Sequence, residues 1–469
     1  MPSSTNASPS AAPDILDVLI IGAGLAGLSA ARALDHRGVR LRVLEARDRV
    51  GGRTLTHTTR FGDRVDLGAQ WIGPTQDRVL ALVKEFGLTP FPQHEDGRKV
   101  LSLGGRISTY RKAIPSLPLL GLLDLDRTIR RLEKMCRQVP LDAPHTAPRA
   151  AEWDGLTVEA WKRRNVHTRG ARALLDIAVE AVFAAEPDEL SLLYFLHYLH
   201  AGGGLLRLST IRDGAQETRV AEGTQEISKR LAAPLGERVV LRAPVRALRQ
   251  EADRVVVTSD AGDHSARYVI VAIPPALAAR IAYGPPLPAA RDHLLQRMPM
   301  GSVIKCVAFY EEPFWRAQGY SGEAISDTGP VRLVFDDSPA DASHGALVAF
   351  VLARGVRAVG ASAAEERRQA VLAELARLLG PRAAECVDYV EQDWTAEEWS
   401  RGCYAGLMAP GVLSAYGQEL ARPCGRIHWA GTETATVWTG YMEGAIRSGE
   451  RAAEEVAARL DTAVHAAAG

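Results

Sequence analysis

Two hydrophobic periods divide the chain. Asp17 to Ile21 (DVLII) is a continuous apolar run, the pattern of a strand buried on both faces. Gly22-Ala23-Gly24-Leu25-Ala26-Gly27 follows at once. LSAARALDHRG then reads as a helix ending at Gly38, and LRVLE as a second strand closing on Glu45. DRVLALVKEF, from Asp77, is amphipathic at helical spacing and stops at Gly87. From about Thr89 to Gly214 the helical period dominates, with helices expected over Leu122 to Val139, Thr157 to Arg164 and Ala171 to Ala184. Phe183 to Gly204 is a capping pattern followed by a broadly apolar helix, whose aromatics read mostly as core. Glu217 to Pro275 returns to strand-like alternation, with one helix from Thr224. Its strands are expected at Val239 to Leu241, at Val245 to Leu248, and at Tyr268 to Ile273, where Pro274-Pro275 breaks the run. Between Met298 and Trp394 the runs SVIKCVAFY, VRLVFDD, ALVAFVLA and CVDYVEQDW read as strands of a sheet roofing a site. Glu365 to Leu379 reads as a helix.

This order predicts an α/β fold of mixed α+β character. A Rossmann-type domain built from 15–88, 217–297 and 397–460 is interleaved with a sheet-plus-helices substrate domain from 89–216 and 298–396. Residues 1–14 are polar and Pro/Ser-rich and read as a disordered lead. Length and composition agree. The 469 residues, 46% of them hydrophobic, suffice for more than one core, and the formal net charge of zero gives no reason to expect nucleic acid as a partner. Five scattered cysteines without a CxxC pair make neither a disulfide framework nor a metal site, so a reducing compartment is expected. No signal peptide is evident, and no apolar run approaches the roughly 20 residues that span a bilayer. A soluble cytoplasmic protein, with a homodimer as the default assembly, is the expectation.

G-x-G-x-x-G is informative only between a strand and a helix, and here it has that setting. The first Gly permits the turn, the second lets a pyrophosphate approach backbone N–H groups, and the third lets helix and strand pack. Glu45, 23 positions after Gly22, suits a ribose hydroxyl pair. The bland alternative is a Gly-rich turn with an incidental acid. The motif does not separate NAD from FAD. Next comes Arg47-Asp48-Arg49-Val50-Gly51-Gly52-Arg53-Thr54, a second Gly pair with flanking arginines suited to pyrophosphate. Gly402 to Gly449 holds Cys403-Tyr404, the turn Gly431-Thr432-Glu433, Trp438, Gly440-Tyr441 and the helix start Met442-Glu443-Gly444-Ala445, the order expected of a ligand site at a helix N-terminus.

Together with Asp66-Leu67-Gly68-Ala69-Gln70-Trp71-Ile72, these blocks resemble the flavin-containing amine oxidase family. SVIKCVAFYEEPFW and AGTETATVWTGYMEGAIRSGERAA place the resemblance in its monoamine oxidase branch, soluble bacterial type, without the membrane-anchoring tail of the mitochondrial enzymes. The resemblance covers about Asp17 to Ala458. It implies FAD as cofactor and oxidative deamination of a small primary amine, through an imine to an aldehyde and ammonia, with oxygen reduced to hydrogen peroxide. It assigns FAD contacts to Gly22, Ala23, Gly24, Gly27, Glu45 and Ala46. Further contacts fall to Arg47, Gly52, Arg53, Gly68, Ala69, Gln70 and Trp71. Val245, through its backbone, and Trp399 belong to the same set, as do Gly431, Thr432, Glu433, Gly440, Tyr441 and Met442.

Three residues carry the implied chemistry. Lys305 stands within an apolar strand of a chain with only seven lysines. A lysine there costs desolvation unless it is paired or at a cavity. The bland reading is an edge-strand lysine facing water; the resemblance instead implies a water held against the flavin. Tyr404 and Tyr441 match two face-to-face rings that make an amine pass between them, the alternative being ordinary buried aromatics. Cys403 matches a cysteine that forms a thioether to the flavin. Its residue type permits that bond, and equally a free buried thiol. Gln216 and Val182 are assigned to the substrate pocket, and a neutral Gln216 favours a monoamine. An L-amino-acid oxidase would need a cation in the cavity, and a diamine or polyamine oxidase an acid at its far end; Arg212 and Glu180 stay open for these roles. A flavin-bearing module without turnover is the third reading, disfavoured by the lack of extra interaction domains.

Overall fold

The computed structural model describes residues 15–112 and 114–468; the lead expected over 1–14 lies outside them. The first apolar run forms the strand Leu16–Ile21. It pairs in parallel with Leu41–Leu44 on one side and Gly262–Val271 on the other. Both its faces are covered, Val18 and Ile20 in one core and Leu19 and Ile21 in another, which is why DVLII shows no alternation. The sheet runs Ala282–Gly284, Val245–Gln250, Val255–Ser259, Gly262–Val271, Leu16–Ile21, Leu41–Leu44, Val239–Val240, and Ile427–Trp429 adds to Gly262–Val271. Helix Leu25–Asp35 packs against the last helix, Met442–Ala468. Small residues permit the approach: a Cβ on Gly449 would lie 2.1 Å from the Ala26 carbonyl oxygen.

The second sheet runs Asp388–Asp393, Val303–Tyr310, Gly345–Leu352, Val331–Asp336, Tyr320–Ser326, Arg98–Leu103, Arg106–Tyr110. Its pairings are antiparallel except that between Tyr320–Ser326 and Arg98–Leu103. Val303–Tyr310 is interior and buried along its whole length. Its two faces pack into different cores. Ile304, Cys306, Ala308 and Tyr310 meet helix Ala364–Leu379, while Val303, Val307 and Phe309 face the helical layer. Period 2 therefore puts Lys305 on the helical-layer side of an interior strand, which excludes the edge-strand reading.

The helical reading of 89–214 needs correction. Helices Leu119–Cys136, Val158–Asn165, Arg169–Phe183 and Leu192–Ala201 are present, the last three capped by Thr157, Thr168 and Ser191. The same segment also supplies the hairpin Arg98–Leu103/Arg106–Tyr110, which extends the second sheet. Its two-residue turn, Gly104-Gly105, has both φ values positive, at 58° and 78°. A tight hairpin of this kind demands that conformation, and glycine adopts it without strain. Among the described residues no helix is long and apolar enough to cross a membrane.

Candidate active site

One cavity of about 840 Å³ runs from the first Gly turn to the second sheet. At the nucleotide end, helix Leu25–Asp35 starts at Gly24 without a side-chain cap, so its first N–H groups are left to a ligand. A Cβ on Gly24 would meet nothing closer than the Gly52 Cα at 3.9 Å, and both glycines line the cavity. Two backbones thus flank a gap that side chains would fill. Glu45 lines the gap too; its carboxylate accepts from the Ala23 N–H at 2.7 Å and the Arg47 N–H at 3.0 Å. Ala46, Gly68, Ala69, Val245, Trp399, Gly431 and Thr432 line the same space. The donor set fits a dinucleotide such as FAD.

Several expected contacts play other parts. Ala23 and Gly27 do not line the cavity. Ala23 spends its N–H on Glu45, and a Cβ on Gly27 would sit 1.9 Å from the Gly22 carbonyl oxygen, so Gly27 serves helix–strand packing. The arginines are held by protein groups. Arg47 donates to Glu397 and Ser400, each at 2.8 Å, and Arg49 to backbone carbonyls. Arg53 donates to Glu433 at 2.7 and 3.2 Å and to the Tyr404 carbonyl oxygen at 2.8 Å. Glu433 does not line the cavity: it is buried behind Arg53 and also accepts from the Gly406 N–H. Burial opposes both charges, yet the pairing outweighs it, lowering the Glu433 pKa and raising that of Arg53.

Lys305, Cys403, Tyr404, Tyr441 and Met442 all line the middle of the cavity. The Lys305 ammonium donates to the Gly68 carbonyl oxygen at 3.0 Å and to the Gln70 side-chain oxygen. Gln70 in turn donates to Asp337, which Arg219 pairs at 2.9 Å. Trp71 and Phe350 flank the ammonium, 5.7 and 5.6 Å from ring centre to Nζ. Burial pulls the Lys305 pKa down to about 8 against the opposing charges of Asp337 and Asp66. Burial pushes Asp66 up to about 6 despite its bond from Thr56. It also pushes the Cys403 thiol up to about 12 and raises both tyrosines. The Tyr404 and Tyr441 hydroxyls therefore stay neutral well into the alkaline range. The Cys403–Tyr404 peptide is cis.

Part of the remaining lining is apolar. Val182, Leu208, Phe335 and Phe350 join Gln216 there, and Gln216 donates to the Leu208 carbonyl oxygen at 3.1 Å. Its side-chain oxygen has no protein partner. Of the two open candidates, Glu180 is a buried partner of Arg332 at 2.6 Å and does not line the cavity. Arg212 reaches it only at an exposed position, paired with Glu95 at 2.6 Å. Tyr198 was not foreseen. Taken with its helix as core, it lines the cavity with its ring centre 6.1 Å from that of Tyr441. A Cβ on Gly440 would fall 2.0 Å from its hydroxyl. Asp337 and Arg219 were also missed, for they lie in runs read only as strand ends.

The profile of the family described as flavin containing amine oxidoreductase matches residues 25–457. The chain belongs to that family. FAD is accordingly its cofactor, amine oxidation its chemistry, and oxidoreductase its class. A Mycobacterium tuberculosis protein assigned as a flavin-containing monoamine oxidase, AofH, is 46% identical over 448 residues, 96% of this chain and 98% of that one. The horse flavin-containing amine oxidase A is 40% identical over 453 residues, 95% of this chain and 86% of that one. The amine oxidase fold is also that of two solved structures. Cyclohexylamine oxidase from Brevibacterium oxydans IH-35A has a TM-score of 0.92 at 33% identity, covering 95% of this chain and 100% of that one. Putrescine oxidase bound to putrescine has a TM-score of 0.91 at 35% identity, covering 94% of this chain and 99% of that one.

Proposed function

We propose that this amine oxidase deaminates small primary monoamines, admitting them between Tyr404 and Tyr441. The observation that carries this reading is a largely apolar cavity in which both tyrosines and Lys305 face the same space, with the neutral Gln216 beyond them. FAD, when bound, supplies the two-electron acceptor and passes the electrons to oxygen. The two ring faces, whose hydroxyls burial keeps neutral even at alkaline pH, attract and orient the amine. Trp71, Phe335 and Phe350 pack together beside the site and exclude water, which sharpens every electrostatic contact within it. Lys305, anchored by Gly68 and Gln70, holds a water and favours negative charge developing on oxygen. Cys403 lines the cavity and is read as the point of covalent attachment for FAD. The five cysteines, all free, support a reducing, cytoplasmic setting. The reading includes a homodimer on symmetry grounds, which sedimentation tests directly.

The deciding experiment is anaerobic mixing of the yellow protein with benzylamine, tyramine, cyclohexylamine, putrescine and L-amino acids, followed by flavin absorbance. Bleaching by the monoamines, faster at higher pH as the substrate amine loses its proton, is expected. Bleaching by putrescine or amino acids alone would overturn the monoamine assignment.

A further inference from the structure

The outer end of the cavity has an ionic device of its own. Lys99 and Tyr110 stand opposite each other in the Arg98–Leu103/Arg106–Tyr110 hairpin, and both line the cavity beside Glu323. The Lys99 ammonium lies 2.7 Å from one Glu323 oxygen, and the Tyr110 hydroxyl donates to the other at 3.2 Å. The Lys99 and Glu323 side chains are only 8% and 13% exposed, so the pair belongs to the cavity wall rather than to the surface. The remaining charges at this end are already committed or at the rim. Glu95 pairs with Arg212, while Asp96 and Arg111 are exposed. Glu323 is thus the one acid among the described residues of this wall placed to receive a cation, and Lys99 occupies it.

Distance decides which cation would reach it. Three strand spacings separate Val303–Tyr310, which carries Lys305, from Tyr320–Ser326, which carries Glu323. At about 4.8 Å each that is about 14 Å. A short diamine held at the tyrosines ends well before Glu323, whereas a long extended one reaches toward it. A second ammonium arriving there would have to displace Lys99, and the approach of two like charges in a poorly solvated wall is unfavourable.

We propose that Lys99 is a specificity-determining residue: by neutralising Glu323 it makes the outer cavity reject a second ammonium group and accept amines with an uncharged tail. This rests on the amine-oxidation reading above and names the substrate class more closely. Removing Lys99 converts the wall into a receptor for long α,ω-diamines, with Glu323 and Tyr110 as the receiving groups.

The test compares octylamine with octamethylenediamine on the FAD-loaded protein at mildly alkaline pH. The readout is the ratio of their kcat/KM values. Lys99→Met is expected to raise the diamine-to-monoamine ratio about tenfold or more, mostly through KM, and Lys99→Met with Glu323→Gln to abolish that rise. Glu323→Gln alone leaves the Lys99 charge unpaired and is expected to lower the ratio, which keeps the proposal open to refutation should Lys99→Met fail to fold. An unchanged ratio in the folded single variants, or a rise that survives the double change, overturns the proposal. Failure of the unaltered protein to oxidise octylamine at all would strike at the monoamine reading instead.

Discussion

Lys305 Nζ donates to the Gly68 carbonyl oxygen over 3.0 Å, joining an interior strand of the second sheet to the loop that follows the short strand Arg64–Asp66. The bond fixes the ammonium in the cavity wall. Its pKa, pulled to about 8 by burial, makes its charge titrate within the working range. Below pH 8 it is cationic; above, neutral. Oxygen reduction builds negative charge, so the rate at which oxygen restores the yellow colour should fall as pH rises through about 8. Lys305→Met should slow that step by about a hundredfold and remove the pH limb, read by stopped-flow absorbance.

Tyr404→Ala and Tyr441→Ala should each lower kcat/KM for benzylamine by about fivefold, and together by more, because each face contributes about 1 kcal/mol of amine attraction and orientation. Steady-state kinetics checks this. Full turnover by the double variant would refute the ring assignment.

Acid-precipitated protein should stay yellow, and the Cys403→Ala variant should release its flavin into the supernatant. The thiol is pushed up to about 12 by burial, so it is protonated, and forming the proposed bond would require activation by the incoming cofactor. Mass spectrometry of the cysteine-bearing peptide provides the second readout.

Arg53→Met should destabilise the fold by about 3 kcal/mol, since it leaves the buried Glu433 without its partner. Glu433 has a lowered pKa in the folded protein, so its contribution is present above the ordinary carboxylate range and is lost as pH falls through the folded value. In Glu433→Gln this part of the acid-denaturation slope should flatten. Denaturant midpoints taken across pH test both statements.

The nucleotide end was legible because backbone requirements fix its residue types: a turn at Gly22, open space at Gly24 and close packing at Gly27 leave little alternative to glycine. The cavity's middle was legible through Lys305, whose charge clashes with its apolar strand. The Arg53–Glu433 pair was not legible, because a sequence shows an acid but not which neighbour takes it; Arg53 comes from 380 positions away. The hairpin at Arg98–Leu103 was missed because its strands are short and lie in a helical stretch, although Gly104-Gly105 marked its turn. Tyr198 could not be told from core packing, since eight of its nine helix neighbours are buried as well.

The packing of helix Leu25–Asp35 against Met442–Ala468 has a consequence for biosynthesis. The Gly turn that opens the cofactor cradle leaves the ribosome first, but Gly431, Gly440 and Met442 on its other side emerge hundreds of residues later. The nascent chain must therefore carry an exposed, half-built cradle through most of translation. Cofactor loading is in this sense a late maturation step, and a pulse-labelled chain arrested before Gly431 should copurify with none.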